Sequence, residues 1–600
     1  MRTRSRPHGA YQEDQEVSRT VAASVLCRQR EELIPIVCSL IVGLSVICTM
    51  RPVIYQVLPR LFGNDNAHCV PGGNAAVNGC GKLADFDEEA LQEIRSLGAT
   101  HVWYTGLPDH ATLTDHSLCH RPADSPTAVK GQAGSPYAVR DWYNIAPDLA
   151  VHPRQRLREF DALVRRTHAC GLGFIMDFVP NHTAARYVGE KQPFTDENYY
   201  PGHIHDGDWS DTAKLNYGSR DTWNKMRDIL LFWAARGVDG FRCDMAELVP
   251  VAFWQWVVPQ VKKEYPSLLF IGEVYQPWRY EEFIQQGGFD YLYDKVGLYD
   301  TLVAILRGWQ PASDITRCWQ TLGNAGPHML HFLENHDEVR LASDFICRNG
   351  LYALPAMIVT ACMDACPLLV YFGQELGERG MEAEGFSGID GKTSIFDYCS
   401  VPAIREWRRW KKEEQTEPSA TAKVDRKGKA LPCSGSPKEE TSTHAELSDL
   451  DNKKEFKRQR TEDGRQRTEE GERLALRSFY ARLLTLCNES PALREGRFFD
   501  LMYVNPYSPD FDPRYHYTFL RQAEGELLLI VVNFASTPAA LRVNIPQHAF
   551  DYLSLPTLAR AQATELLTGS TLGIVLQPGM PVSVSLRGHS GAILRIPLKE

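Results

Sequence analysis

The stretch Gly237-Val-Asp-Gly-Phe-Arg-Cys-Asp244 has the pattern of a buried strand that ends in charged residues. Side chains alternate along a strand, so Arg242 and Asp244, two residues apart, project to the same side. A guanidinium beside a carboxylate favours the ionised form and fixes its orientation, which is what a nucleophile requires. An isolated pair of this kind is more often a structural ion pair, so the interpretation depends on what accompanies it.

Three further apolar, strand-like segments also end in carboxylates or histidines. They supply, in chain order, Asp177, Asn181 and His182 (residues 172–182), Glu273 (residues 268–274), and His336 and Asp337 (residues 329–337). Four strand ends of this kind in a fixed order indicate that these side chains serve a common site.

Alternating strand-like and amphipathic helix-like segments predict an α/β fold. From Asp244 to Glu273 is 29 residues (273 − 244), and from Glu273 to Asp337 is 64 (337 − 273). These spacings fit one and two strand–helix units of a (β/α)8 TIM barrel, which averages ~30 residues per unit. Every strand of such a barrel ends on the same face, so distant acidic residues converge there. The predicted strands are residues 53–58, 100–104, 173–178, 240–244, 268–273, 289–293, 329–333 and 368–372.

Two other regions differ from the barrel pattern. Residues 411–472 are crowded with charged and hydroxyl side chains, which predicts a disordered insertion or a solvated helix. A helix pattern at residues 474–487 follows, so this insertion belongs to the last barrel loop. Residues 495–600 change to strands of period two, which predicts a C-terminal antiparallel β-sandwich domain.

The four strand-end segments resemble the conserved regions of glycoside hydrolase family 13, the α-amylase family. The resemblance covers roughly residues 52–600 and implies a catalytic barrel at residues 51–492, with a short domain B inserted at residues 183–217. By position in the matching motifs, Asp244 is similar to the nucleophile, Glu273 to the acid/base and Asp337 to the third carboxylate. The resemblance also implies sugar binding by Tyr137, His182, Arg242 and His336, and a structural role for Glu375.

The activity that the resemblance implies is a retaining α-glucan hydrolase that cleaves α-1,4 bonds in starch or maltodextrins through a covalent glycosyl-enzyme intermediate. Ala138 stands where exo-acting α-glucosidases often carry Asp, which favours an amylase-like enzyme. A 4-α-glucanotransferase with the same site is one alternative. Another is a non-catalytic, membrane-anchored, partner-binding protein like the transporter heavy chains, although the complete carboxylate set argues against it.

No organic cofactor is expected, and the sequence argues against calcium. Asn181 matches a calcium-binding asparagine of the family, but Lys214 stands where an aspartate ligand is often found. A lysine ammonium has no lone pair with which to bind a cation. A second departure follows the nucleophile: many α-amylases have Lys-His there, whereas this chain has Ala246 and Glu247.

The N-terminal 50 residues contain an uncharged apolar run at residues 33–50. It is typical of a signal peptide or a membrane anchor, and a third interpretation is that translation begins at Met50. A cytoplasmic location follows from a start at Met50, and a membrane-anchored or exported protein follows from the other two. A membrane partner is expected only if the run is an anchor.

Composition narrows the partners further. The net charge is −10, and the chain has no basic stripe of the kind that binds nucleic acid, so an α-glucan or maltooligosaccharide is the expected ligand. The fifteen cysteines are scattered singly, without metal-site spacing, and we expect most of them to be reduced thiols.

Overall fold

The computed structural model describes residues 50–383, 385–416 and 449–598, apart from the side chains of residues 413–416 and 449–468. Most of the predicted N-terminal tail, including residues 33–49 of the apolar run, lies outside the described residues, and so do residues 417–448 of the predicted charged insertion. Within the described ranges, no helix is both long and apolar enough to cross a membrane.

Eight parallel strands close into a barrel, which confirms the predicted fold. Neighbouring strands follow each other in chain order, and the first strand closes the ring by pairing with the eighth, with Val53 opposite Leu368. The strands are β1 (Val53–Val57), β2 (His101–Tyr104), β3 (Gly173–Phe178), β4 (Gly240–Cys243), β5 (Leu269–Gly272), β6 (Tyr291–Tyr293), β7 (Met329–Phe332) and β8 (Leu368–Tyr371).

The inside of the barrel is filled by side chains rather than by a channel. Alternation along each strand sends every second side chain inward, and these inward residues pack in layers. The buried apolar cluster consists of Ile54, Trp103, Ile175, Ile271, Tyr293, Tyr299, Val303, Leu330, Phe332 and Leu369. The next inward positions toward the carboxyl ends, such as Gln56 on β1 and Asp177 on β3, are polar and buried. This layer of polar side chains is the floor of the site.

Helices cover the outside of the barrel. The α-helices before the C-terminal domain are Pro59–Phe62, Ala75–Asn78, Glu88–Ser96, Arg156–Ala169, Arg220–Ala234, Val251–Glu264, Tyr280–Gln285, Asp300–Leu306, Ile315–Leu322, Leu354–Cys362, Pro402–Thr416, Asp449–Glu489 and Pro491–Glu495. The predicted helix at residues 474–487 lies within Asp449–Glu489.

That long helix packs as the last helix of the barrel. Tyr480 accepts a hydrogen bond of 2.9 Å from Nε2 of Gln374, just after β8. On the other side it approaches Gly98 so closely that a Cβ there would lie 2.7 Å from the backbone nitrogen of Thr485, and Gly98 also has φ of +93°. Glycine is therefore required at this contact.

The loops at the carboxyl face of the barrel contain a short hairpin and a disulfide. In the segment predicted as domain B, His182–Ala184 pairs antiparallel with Thr212–Lys214. A disulfide joins Cys69, after β1, to Cys399, after β8. Their separation of 330 residues explains why sequence spacing did not reveal this pair. The other nine cysteines of the described part are free, as expected for most cysteines of this chain.

The C-terminal domain is an antiparallel β domain, as predicted. Its strands are β9 (Arg497–Asp500), β10 (His516–Ala523), β11 (Glu526–Asn533), β12 (Ala539–Val543), β13 (Leu558–Glu565), β14 (Thr571–Leu576), β15 (Val582–Leu586) and β16 (Ser590–Pro597), with one helix, Gln547–Leu553. Six of them form one sheet in the order β9-β10-β11-β16-β13-β14, and β12 and β15 form a second sheet. Along β15 buried and exposed residues alternate, so its apolar face lies in the core.

Candidate active site

Arg242 is the centre of the polar cluster at the carboxyl ends of the strands. Its side chain is fully buried, with 0% exposure. Nη1 donates to Oδ1 of Asp244 at 2.7 Å, and Nη2 lies 2.7 Å from Oε2 of Glu273. Asp177 approaches Nη1 at 3.5 Å. Asp244 and Glu273 are therefore separated by no more than one guanidinium width and two short contacts.

Aromatic rings hold this guanidinium from the remaining directions. The Arg242 Cζ atom lies 5.4 Å from the ring centre of Trp103, 5.3 Å from that of Tyr137 and 5.5 Å from that of Tyr293. The Tyr293 hydroxyl also accepts a hydrogen bond of 3.0 Å from Nε. Cation–π contacts of this kind are strongest where water is excluded. These contacts fix the orientation of the Arg242 guanidinium, which in turn fixes the positions of the carboxylates that it contacts.

Three carboxyl groups surround the single positive charge of Arg242, and this affects their pKa values. Burial raises the pKa of Asp244 well above its ordinary value, and the nearby Glu273 raises it further, while Arg242 acts in the opposite direction. Burial also raises the pKa of Asp177. Arg242 thus lowers the pKa of Asp244, as expected from the sequence, but burial and Glu273 outweigh it. Three carboxyl groups share one guanidinium, so the cluster retains a proton more readily than isolated acids do.

Glu273 has a different donor at each carboxylate oxygen. Oε2 accepts a hydrogen bond of 2.7 Å from the Met245 amide, in addition to its contact with Arg242. Oε1 accepts a hydrogen bond of 2.5 Å from the Tyr275 hydroxyl. Met245 has a left-handed backbone, with φ of +43°, which is uncommon for a residue other than glycine. The turn after Asp244 therefore contributes directly to the environment of Glu273.

Asp337, His336 and Tyr137 form the opposite side of the site. Nε2 of His336 lies 3.0 Å from Oδ2 of Asp337 and 2.6 Å from the Tyr137 hydroxyl. The His336 and Tyr137 rings stack with centres 5.1 Å apart. Burial acts to raise the pKa of Asp337, but His336 and Arg242 outweigh it and lower that pKa. Its side chain is 44% exposed, so a charged carboxylate faces the open part of the site.

His182 and Asn181 lie further out, at the base of the small hairpin. Burial lowers the pKa of His182 to about 4, so its imidazole is neutral near pH 7, and the ring hydrogen-bonds the backbone of Tyr137. Asn181 donates a hydrogen bond of 2.8 Å to Oδ2 of Asp206. The structure thus places His182 against Tyr137, and Asn181 links the two sides, because its amide nitrogen lies 3.3 Å from Nδ1 of His182 as well as beside Asp206.

That polar contact does not suit calcium. The Lys214 ammonium lies 2.6 Å from Oδ1 of Asp206, so the carboxylate that Asn181 contacts is already paired with a cation. Ca²⁺ binds six to eight oxygen ligands. Asn181 and Asp206 alone, with an ammonium beside them, do not provide such a set.

The described residues contain one group of metal-type ligands, and it lies away from the site. His331 on β7, Asp364 and Cys366 are close together before the start of β8. However, Nε2 of His331 is 2.7 Å from Asp364 and Nδ1 is 3.2 Å from Asp294. Burial lowers the pKa of His331, but these carboxylates outweigh it and raise the pKa well above its usual value. A charged histidine between two aspartates accounts for this cluster.

Several residues of the site were not predicted. Nε2 of Gln56 donates to Nδ1 of His336 at 2.9 Å, and the Trp103 indole donates to Asp177 at 3.2 Å. Tyr275 and Tyr293 were missed as well. The signal was present for Gln56, Trp103 and Tyr293, because all three occupy inward positions of predicted strands. Glu375, for which a structural role was predicted, accepts a hydrogen bond of 2.7 Å from the Tyr55 hydroxyl behind the barrel wall.

A cavity of about 390 Å³ opens beside Asp337 and His336. The segment that follows β8 supplies much of its lining, with Glu378 and Lys392 from the loop and Arg405 from the helix Pro402–Thr416. The cavity therefore borders the site at His336 and Asp337.

A pair of carboxyl groups at the carboxyl face of a (β/α)8 barrel is the arrangement that glycoside hydrolases use. The family profile described as "Alpha amylase, catalytic domain" matches residues 194–496, about half of the chain. The chain therefore belongs to glycoside hydrolase family 13, the α-amylase family.

Among curated relatives, the chain is 27% identical over 347 residues to "Alpha-amylase MalA" of Haloarcula japonica, which covers 55% of this chain and 44% of that protein. It is 27% identical over 215 residues to an "Alpha-1,4-glucan:maltose-1-phosphate maltosyltransferase" of Cereibacter sphaeroides, covering 32% of this chain and 29% of that protein. The chain thus spans less than half the length of these two relatives.

Solved structures show the same fold over most of the chain. The maltogenic α-amylase AmyB of Thermotoga neapolitana matches with a TM-score of 0.58 and 19% identity, covering 92% of this chain and 99% of that one. The α-amylase GTA of Geobacillus thermoleovorans, complexed with acarbose, matches with a TM-score of 0.60 and 17% identity over the same shares. At these identities the likeness establishes the fold.

Because Lys214 already neutralises Asp206, chelation of calcium is expected to leave thermal unfolding unchanged. Lys214→Met should lower stability by on the order of 1 kcal/mol, since the pair is only 22% and 27% exposed. Asn181 and Lys214 together outweigh burial and lower the pKa of Asp206. The contribution should therefore be present above about pH 4 and disappear as the pH falls through that lowered pKa.

Melting curves with and without EGTA, recorded for the wild type, for Lys214→Met and for the exposed control Lys263→Met, test this. A wild-type melting temperature that drops by several degrees in EGTA and recovers with added calcium would contradict the interpretation.

Proposed function

We propose that the chain is a retaining α-glucan hydrolase of the amylase type, which cleaves α-1,4 bonds in starch or maltodextrins. The observation that carries this proposal is the bridging of Asp244 and Glu273 by the buried Arg242. A retaining enzyme needs two carboxyl groups about 5 to 5.5 Å apart, one as a nucleophile and one as an acid and then a base. A single guanidinium between them supports a separation of this kind.

In the first step, an Asp244 oxygen attacks the anomeric carbon and the bond from that carbon to the leaving sugar oxygen breaks. Glu273 gives its proton to that oxygen, so the sugar leaves as a neutral alcohol. In the second step, Glu273 takes a proton from water, whose oxygen attacks the anomeric carbon and releases Asp244. The surplus negative charge around Arg242 supports this scheme, because the cluster must hold one proton and one free carboxylate at the start.

Asp337 and His336 are well placed to bind hydroxyl groups of the sugar being transferred. The Asp337 carboxylate is charged and 44% exposed, and it faces the 390 Å³ cavity. The neutral His182 and the Tyr137 ring complete this side. We assign these four residues to substrate binding. The cavity beyond Asp337 supports the binding of more than one glucose unit on this side, as an endo-acting or dextrin-cleaving enzyme requires.

A 4-α-glucanotransferase remains the second candidate, and the maltosyltransferase among the relatives favours it. Both activities use the same glycosyl-enzyme intermediate and differ in whether water or a sugar hydroxyl accepts the glycosyl group. The comparisons give no support to a membrane-anchored, non-catalytic protein. The carboxylate set also argues against it, because Asp244, Glu273 and Asp337 are all present and assembled.

The proposed role of Glu273 predicts a dependence on the leaving group. Glu273→Gln removes the acid, so turnover of maltoheptaose should fall by about 10²- to 10⁴-fold. The kcat/KM value for an α-glycosyl fluoride, which reports the first step, should fall far less, since fluoride needs little protonation in order to leave. Steady-state rates on both substrates measure the difference.

Asp244→Asn provides the matched control, because loss of the nucleophile should abolish both activities. Equal loss on the two substrates for Glu273→Gln would contradict the acid role.

Product chain length distinguishes the two candidate reactions. With maltoheptaose, a hydrolase should yield only oligosaccharides shorter than the substrate, together with one new reducing end per bond cleaved. Chromatography of early products, with a reducing-end assay in parallel, measures both. Products longer than maltoheptaose, formed without a rise in reducing ends, would show that the chain is a transferase.

A further inference from the structure

Glu247 ties together the two loops that carry the proposed nucleophile and acid. Its Oε2 accepts a hydrogen bond of 3.0 Å from the Tyr275 amide, and its backbone oxygen accepts one of 2.8 Å from Arg279. Its own amide donates to the Glu273 carbonyl at 3.4 Å. One residue of the β4 loop thus contacts the β5 loop at positions 273, 275 and 279.

The two oxygens of Glu273 are not equivalent, and this decides where an acid proton resides. Oε2 faces the Met245 N–H and the Arg242 guanidinium, both of which only donate. A proton on Oε2 would point toward the hydrogens of these two donors and would be repelled by them. Oε1 faces the Tyr275 hydroxyl at 2.5 Å, and a hydroxyl both donates and accepts. The proton of the acid form therefore belongs on Oε1, whose oxygen the Tyr275 hydroxyl holds in place while the proton points to the leaving group.

We propose that Glu247 is a positioning residue that, through Tyr275, holds Oε1 of Glu273 and its proton toward the leaving group. The inference rests on the proposed function, because it assigns the acid role to Glu273. Tyr275 restrains rotation of the carboxyl group, and Glu247 restrains Tyr275 by binding its amide. A misplacement of about 1 Å at a reacting group costs on the order of 100-fold in rate.

This role also accounts for the departure at Ala246 and Glu247 from the Lys-His pair of many α-amylases. The histidine of that pair would stand at position 247, where a neutral imidazole offers one acceptor nitrogen and a protonated one offers none, whereas the Glu247 carboxylate accepts at either oxygen. In this chain Glu247 instead helps to position the acid Glu273 through Tyr275.

The test compares maltoheptaose, whose leaving group needs the acid, with α-maltosyl fluoride, which does not. Tyr275→Phe should lower the ratio of the two kcat/KM values by about 10- to 100-fold. Glu247→Ala should lower it by about tenfold. Glu247→Gln keeps an acceptor oxygen for the Tyr275 amide, and its ratio should stay within about threefold of the wild type. Glu281→Ala, an exposed acid on the following helix, is the matched control and should leave the ratio unchanged.

A double variant examines whether Glu247 acts through Tyr275. The combined loss in Glu247→Ala/Tyr275→Phe should equal that of Tyr275→Phe alone rather than the product of the two single losses. Melting temperatures of all variants identify any that fail to fold, and Glu247→Ala and Glu247→Gln keep the comparison available if Tyr275→Phe is unstable.

Equal losses on both substrates in Tyr275→Phe and Glu247→Ala would overturn the inference, since a purely structural defect lowers both rates. So would unchanged ratios in these variants while Glu273→Gln still loses activity on maltoheptaose selectively; the acid role would then stand without this support. A wild-type protein that turns over neither substrate would instead contradict the proposed function itself.

Discussion

The whole site depends on one buried cation. Arg242 is inaccessible to solvent and contacts Asp244, Glu273 and Asp177, while three aromatic rings surround it. A buried guanidinium is tolerated only when it is paired, and its removal would leave several carboxyl groups without a counter-charge. Its partners come from strands β3 to β5, so the cluster exists only when the barrel closes in the correct register. Fold and site thus share one constraint.

The same cation explains how the proposed division of labour arises. Arg242 donates a hydrogen bond from Nη1 to Asp244, and its Nη2 lies 2.7 Å from Glu273, so one guanidinium contacts both carboxyl groups. What distinguishes them is the second partner of each. Glu273 has the Tyr275 hydroxyl at Oε1, the oxygen that does not contact Arg242. For Asp244, burial and the nearby Glu273 raise the pKa. The chemistry proposed here therefore depends on loop contacts as much as on the strands.

The strand ends were predictable, and the loop contacts were not. The apolar runs before Asp177, Asp244, Glu273 and Asp337 fix the strands, and their spacing fixes the barrel. Gln56 and Tyr293 could have been found by the same alternation rule. The contact of Glu247 with Tyr275 depends instead on the paths of two loops, as does the Cys69–Cys399 disulfide across 330 residues. The raised pKa of Asp244 was missed because the sequence motif shows that Arg242 lies beside Asp244, but does not show the burial and the neighbouring Glu273 that raise this pKa.

The most direct test of the account is the configuration of the sugar at the moment of release. Proton NMR of maltoheptaose during the first minutes of hydrolysis, before mutarotation, resolves the two anomers of the new reducing end. If Arg242 holds Asp244 close enough to Glu273 for a covalent intermediate, the first product is the α-anomer. A β-anomer as the first product would contradict the account, because it would require a water molecule between the two carboxyl groups.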